Sequence, residues 1–115
     1  MSILSELNTV LSGLSIPVET GVFSGIAPDE YCVLTPLADS FDLFGDDKPQ
    51  IEVCEVRISL FRKENYLKRA RQIVIALLVD DFTITSRRYI GYEDDTGYHL
   101  YSIDVAREYF VGEEQ

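Results

Sequence analysis

The chain has 115 residues, 46% of them apolar, with 7 Tyr and 6 Phe, and its 20 acidic against 10 basic residues give a formal net charge of −10. This length suits one domain and is short for two, and the apolar content excludes wholesale disorder. The charge disfavours nucleic acid and anionic membrane as ligands, and no apolar run approaches the ~20 residues that span a bilayer.

Residues 2–12 place Ile3, Leu4, Leu7, Val10 and Leu11 at helical spacing, with Ser2 as a candidate N-cap and Gly13 as a candidate C-cap. The stretch has no basic n-region and carries Glu6, so a signal peptide is not expected and the chain is expected to stay in the cytoplasm. Pro17 stops the helix, a short strand is predicted from Val18 to Phe23, and the turn formers of residues 24–29 make a loop.

Residues 30–44 read as an extended segment in which Pro36 demands an edge, a bulge or an interruption. Residues 45–49, Gly-Asp-Asp-Lys-Pro, form a strong turn. Residues 51–61 then alternate, with Cys54, Val56, Ile58 and Leu60 on one face and Glu55, Arg57 and Ser59 on the other, as in a half-buried antiparallel strand. The two segments make a long hairpin. Turning near Asp46 and Asp47, it sets Cys54 opposite residue 39 and leaves Cys32 about seven residues, or ~23 Å, further along. Cys32 and Cys54 are therefore expected to be separate buried thiols rather than a disulfide or a zinc pair.

The period changes to 3.6 over residues 65–79, where Tyr66, Ala70, Ile73, Val74, Leu77 and Leu78 form the expected inner stripe and Asn65 the N-cap. Asp80 and Asp81 fit poorly at a negative helix C-terminus and mark its end. Two strands follow. In the first, Phe82, Ile84, Ile90 and Tyr92 share one parity and Thr83, Thr85 and Arg87 the other; residues 93–97 turn; Tyr101, Ile103 and Val105 alternate with Ser102 and Asp104. The order α-β-β-β-α-β-β predicts an α+β fold: a mostly antiparallel sheet with a long β-hairpin, packed against two helices in one domain over residues 1–115. Residues 112–115 are expected to fray.

Little in the chain points to catalysis. His99, the only histidine, has no accompanying nucleophile motif, and no glycine-rich phosphate loop is present. The acidic turns, Asp46-Asp47 and Glu93-Asp94-Asp95, lack the alternating spacing of a calcium loop and read as solvated hairpin tips. Glu52 and Glu55 lack the nearby lysine of a metal-dependent nuclease site. No enzyme activity, cofactor or metal is expected. The charge is segregated: residues 1–61 hold two cations and ten carboxylates, a net of 2 − 10 = −8, and residues 62–115 hold eight and ten, a net of −2. Arg87 and Arg88 are consecutive in a strand, so one must face the core or interface side and needs a carboxylate, with Asp104 or Glu55 as in-chain candidates.

The stretch of residues 27–78, followed by residues 80–105, resembles a family of small tail proteins of tailed phages and prophages of Gram-positive bacteria, of the tail-terminator or tail-completion kind. The resemblance covers roughly residues 17–110. It is carried by Glu30-Tyr31, Thr35-Pro36-Leu37, the EVRISLF strand, Asn65-Tyr66, the DFTIT strand, Arg88-Tyr89-Ile90-Gly91 and Thr96-Gly97-Tyr98-His99. It implies an α+β fold and a homo-oligomeric ring, often a hexamer, at the head-proximal end of the tail tube. There the ring would contact the tail-tube protein and a head-completion or connector protein, being made in the host cytoplasm and ending in the virion. It carries no catalytic residues, no membrane partner and no sequence-specific nucleic-acid binding.

A ring needs a heterologous contact between two different faces of the subunit. The acidic hairpin residues Asp39, Asp42, Asp46 and Asp47 and the basic residues Arg62, Lys63, Lys68, Arg69 and Arg71, with Arg88, are the expected opposites. The rival expectation is a monomeric acidic inhibitor that mimics nucleic acid.

Overall fold

The structure is a computed structural model that describes residues 2–20, 26–44 and 48–111, the side chains of 42–44 and 48–50 excepted. Ser2 accepts a hydrogen bond from the Ser5 amide at 3.1 Å and opens α1, Ile3–Gly13. Gly13 is the last helical residue rather than the C-cap; the chain turns at Leu14 and at Ser15, whose φ of 61° is left-handed. β1 covers Val18–Thr20, and the remaining residues expected in that strand include 21–23, outside the described residues.

β2, Glu30–Phe44, and β3, Lys48–Arg62, form the long hairpin. Asp39 pairs with Cys54 and Cys32 with Leu60, so the register matches the expected one and keeps the thiols apart. Both cysteines are free and buried. A register shift lies between Pro36 and Ala38, the bulge that a strand proline requires. α2 spans Tyr66–Val79, and the Asn65 side chain caps it by accepting from the Lys68 amide. β4, Thr83–Tyr92, and β5, His99–Phe110, complete an α+β fold.

The five strands lie in the order β1-β2-β3-β5-β4. β1 joins β2 in parallel, through residues 18–20 and 32–34, and every other pair is antiparallel. β3 is central and is flanked by β2 and β5 along most of its length, which draws the molecule out to 54 × 25 × 23 Å.

Both helices cover one face of this sheet. Leu7 and Leu11 of α1, Ile73 and Leu77 of α2, and Cys32, Leu34, Val56, Ile58, Leu60, Ile103 and Val105 of the strands form one buried core. Each fully buried Leu, Ile or Val contributes about 1.5–3 kcal/mol. Among the described residues the opposite face has no helix. Its apolar part is a small cluster at one end, where Tyr31 stacks on Phe61 at 4.6 Å and Tyr98 meets both edge-on. The Tyr98 hydroxyl donates to the Pro28 carbonyl and pins the loop before β2.

Two expectations need correction. Leu78 is not part of the inner stripe of α2 but is 55% exposed. In β4, register shifts between Ile84 and Ser86 and between Tyr89 and Gly91 break the simple parity. Tyr89, not Ile90, reaches the helix side and stacks on Tyr66 at 4.8 Å, while Ile90 is exposed.

Candidate functional site

The basic segment leading into α2 is largely neutralised within the chain. Glu30, the first residue of β2, accepts from Arg62 across the hairpin and from Arg69 Nε at 3.1 Å. Arg69 also donates to the Leu14 carbonyl beyond α1 and to Gln72 at 2.8 Å, so one guanidinium joins α1, β2 and α2. Lys63 pairs with Asp29 at 3.4 Å. Three of the expected contact cations, Arg62, Lys63 and Arg69, therefore have in-chain partners. Among the described residues Lys68 and Arg71 make no ion pair, and Arg71 is exposed on α2.

Of the expected acidic partners, Asp39 is exposed in β2 opposite Cys54, and Asp42 lies in the same strand opposite Ile51. Asp46 and Asp47 fall outside the described residues. Asp39 makes no ion pair with the basic segment of the same chain. Among the described residues β2 has no neighbour on its outer side from Thr35 onward, where its pairing with Val18–Thr20 ends.

Arg87 and Arg88 face opposite sides of the sheet, as expected, with Arg87 on the helix side, but neither is buried. β4 is the far edge of the sheet, and both arginines are exposed along it. Arg87 lies opposite Ile103 and Arg88 opposite Ser102, so they project to opposite faces. The direct partner of Asp104 is its cross-strand neighbour Arg57, through Nε to Oδ1 at 2.8 Å and Nη2 to Oδ2 at 3.0 Å. These hydrogen bonds hold the Asp104 carboxyl below its ordinary value, against the opposing effect of burial; the nearby Arg88 charge adds to the lowering. His99 sits in an aromatic group beside the same edge. Its Nδ1 is 3.0 Å from the Tyr89 hydroxyl, and its ring is 4.9 Å from Tyr66 and 4.8 Å from Tyr92.

Asp39, Glu52 and Cys54 bring three potential ligand atoms within 4.8 Å of one another. The thiol donates to Glu52 Oε1 at 3.3 Å. Burial, followed by hydrogen bonds to Asp39 and Glu52, pushes the Cys54 thiol up to about 12. Such a thiol is a hydrogen-bond donor at neutral pH, whereas a metal would require the thiolate.

Sequence reasoning missed the outer side of α2. Leu67, Ile75, Leu78 and Val79 are 56%, 56%, 55% and 79% exposed, on a helix whose inner side already supplies Ala70, Ile73 and Leu77 to the core. The available signal was the unbroken apolar run of residues 73–79, which supplies more apolar positions than one face requires. Arg107 was missed as well. It ties β5 to both helices, donating to the Asp80 carbonyl at 2.8 Å, lying 4.0 Å from Glu6 and covering the Phe82 ring. It supplies the cation that Asp80, at the C-cap of α2, would otherwise lack.

The arrangement thus offers exposed edges and an exposed apolar helix side, with charge of both signs near them. Among the described residues no helix is long and apolar enough to cross a membrane. No protein-family model matches the chain, and no curated protein is significantly similar to it.

Proposed function

We propose that this chain is a structural subunit that works by self-assembly, of the tail-terminator or tail-completion kind implied by its sequence resemblance. In this reading copies form a ring at the head-proximal end of a phage tail, between the tail-tube protein and a head-completion protein. The ring is built in the host cytoplasm and carried in the virion, and it performs no catalysis. The observation that carries the assembly role is the outer side of α2, where four large apolar side chains stand more than half exposed. Exposed large apolar side chains grouped on one side of a helix favour association with another protein surface. The rival, a nucleic-acid mimic, has less support, because Asp29, Glu30 and Asp104 are engaged by cations of the same chain.

Light scattering on the purified chain, from dilute to concentrated and with and without tail-tube protein, tests the reading. A discrete oligomer is expected, with ring-shaped particles by electron microscopy, and its addition should shorten growing tail tubes. A monomer at every concentration that leaves tube length unchanged would refute the reading.

A further inference from the structure

The two open edges of the sheet differ in sign. Among the described residues β4 is unpaired on its outer side over Thr83–Tyr92 and carries Arg87 and Arg88, which form no ion pair, although the Arg88 charge is felt by Asp104. Among the described residues the outer edge of β2 is open over residues 35–44, which carry Asp39, with no ion pair, and Asp42. Each open edge is ten residues long. Their directions also fit: β2 is antiparallel to β3, β3 to β5 and β5 to β4, so β4 runs antiparallel to β2. A second copy added beside β4 in the same orientation therefore presents its β2 for an antiparallel ladder, and the helices of both copies stay on one side of the joined sheet.

Like-with-like pairing is disfavoured. Two β4 edges would oppose arginines, and two β2 edges would oppose aspartates. Only the unlike pair brings the charges together, and that pair is head-to-tail. Through the strand registers Thr83 is level with Ala38 and Tyr92 with Glu30 of the same chain. β1 blocks the start of β2, so the incoming strand must sit about five to six residues further along, a stagger of roughly 17–20 Å per copy. Stagger of one sense is what tilts the strands of a closing barrel.

α2 supplies the wall of the same site. At about 100° per residue, Leu67, Arg71 and Leu78 project about 100–140° round the helix from Tyr66, and Arg69 about 300°. Arg69 reaches Leu14 and Glu30, which places its flank toward α1 and β2. The flank with Leu67, Arg71 and Leu78 therefore overlooks β4. A neighbouring β2 laid beside β4 would bring Asp39 and Phe41 to the helix side, since these residues pair with Cys54 and Glu52, on the face that contributes Cys54 to the core. There Phe41, 57% exposed in the single chain, lies toward Leu78 at the C-terminal end of α2, and Asp39 lies toward Arg71 and Arg87.

We infer that the open half of β2 in one copy adds as a strand to β4 of the next, under the outer flank of α2, and so joins copies head-to-tail into a continuous sheet. The inference rests on the proposed self-assembly and specifies its contact. The test uses two variants, Arg87→Glu with Arg88→Glu, and Asp39→Lys with Asp42→Lys, each checked for folding by circular dichroism and then sedimented alone and mixed. Each alone should associate at least about tenfold more weakly than the wild type, and an equimolar mixture should recover association, because each supplies the edge that the other now requires. Hydrogen exchange on the assembled wild type, independent of any variant, should show new protection at residues 35–44 and 83–92. An assembling wild type whose exchange at both edges is unchanged would overturn this contact while leaving self-assembly intact. Variants that fold but associate like the wild type, or fail to recover on mixing, would also overturn it. A wild type that never assembles would overturn the self-assembly reading and the contact with it.

Discussion

Replacing Asp104 with Asn isolates a single ion pair on the helix-free face of the sheet. Arg57 and Asp104 are cross-strand partners joined by two hydrogen bonds, and their side chains are 35% and 13% exposed. Asn preserves the shape, removes the charge and turns an amide donor or a weaker acceptor toward the guanidinium. A fully buried pair broken on one side costs about 3–5 kcal/mol and an exposed pair about 0.2–1 kcal/mol. Bidentate geometry raises the value, while the openness of Arg57 to solvent screens it, so the expected loss is about 1–2 kcal/mol. For a chain of this size that corresponds to a fall in Tm of about 4–8 °C.

The sign of the pH dependence provides the sharper check. The Asp104 carboxyl titrates below its unfolded value of 3.8 in the folded chain, mainly because Arg57 donates to it. The stabilisation is therefore complete well above pH 3.8 and is lost as pH falls through the lower, folded value. Thermal melts of wild type and Asp104→Asn followed by circular dichroism should differ by a constant amount from neutral pH down to about pH 5. The gap should narrow below about pH 4 and close in stronger acid, where both proteins lack the charge. A gap of the same size in strong acid and at neutral pH would refute the ion-pair account and assign the loss to packing.

Leu77 and Leu78 are sequence neighbours of opposite standing, one fully buried and the other 55% exposed. Urea unfolding of dilute monomer should show a loss of about 2–5 kcal/mol for Leu77→Ala and about 0.5 kcal/mol or less for Leu78→Ala. Ser15 holds a left-handed φ of 61° that glycine adopts without strain, so Ser15→Gly should raise Tm, by an amount equivalent to about 0.5–1 kcal/mol. Burial leads the causes that push Cys32 and Cys54 up to about 12, so both thiols should react slowly with a chromogenic disulfide reagent at mildly alkaline pH and rapidly in denaturant.

The elements that were legible in the sequence are those fixed by local pattern. The alternation of residues 51–61 and a turn expected near Asp46 and Asp47, which lie outside the described residues, placed Cys54 opposite Asp39 as the strands pair, although Lys48 and Pro49, expected in the turn, belong to β3. Ser2 and Asn65 were recognisable as caps because short polar side chains there satisfy free helix amides. What escaped is decided at a distance. The first bulge in β4 follows from its fit to β5 with no residue type to mark it, whereas the second ends at Gly91, a strand glycine whose signal the simple parity ignored. Leu78 has the spacing of a core residue, yet the sheet beneath α2 accommodates only the arc through Ala70, Ile73 and Leu77. The parallel seat of β1 beside β2 depends on where the intervening loop returns the chain, and strand propensity carries no information on that.

The same distinction changes the meaning of the charge segregation. In sequence, Arg62, Lys63 and Arg69 form a basic cluster apart from the acidic hairpin. In the fold, the hairpin's own first residue, Glu30, returns beside them, because β2 and β3 are antiparallel and their outer ends meet. Those cations are used to fasten α2 to the start of the hairpin and to the end of α1. In the proposed contact the unlike charges that meet are therefore Arg87, Arg88 and Arg71 on the β4 side and the aspartates along β2. This changes the geometry of the proposed assembly. A contact between a hairpin tip and a helix start would be a point that allows rotation, whereas two ten-residue edges fix direction, spacing and tilt together. A subunit that must build a closed ring, rather than an open chain of variable pitch, needs that second kind of contact.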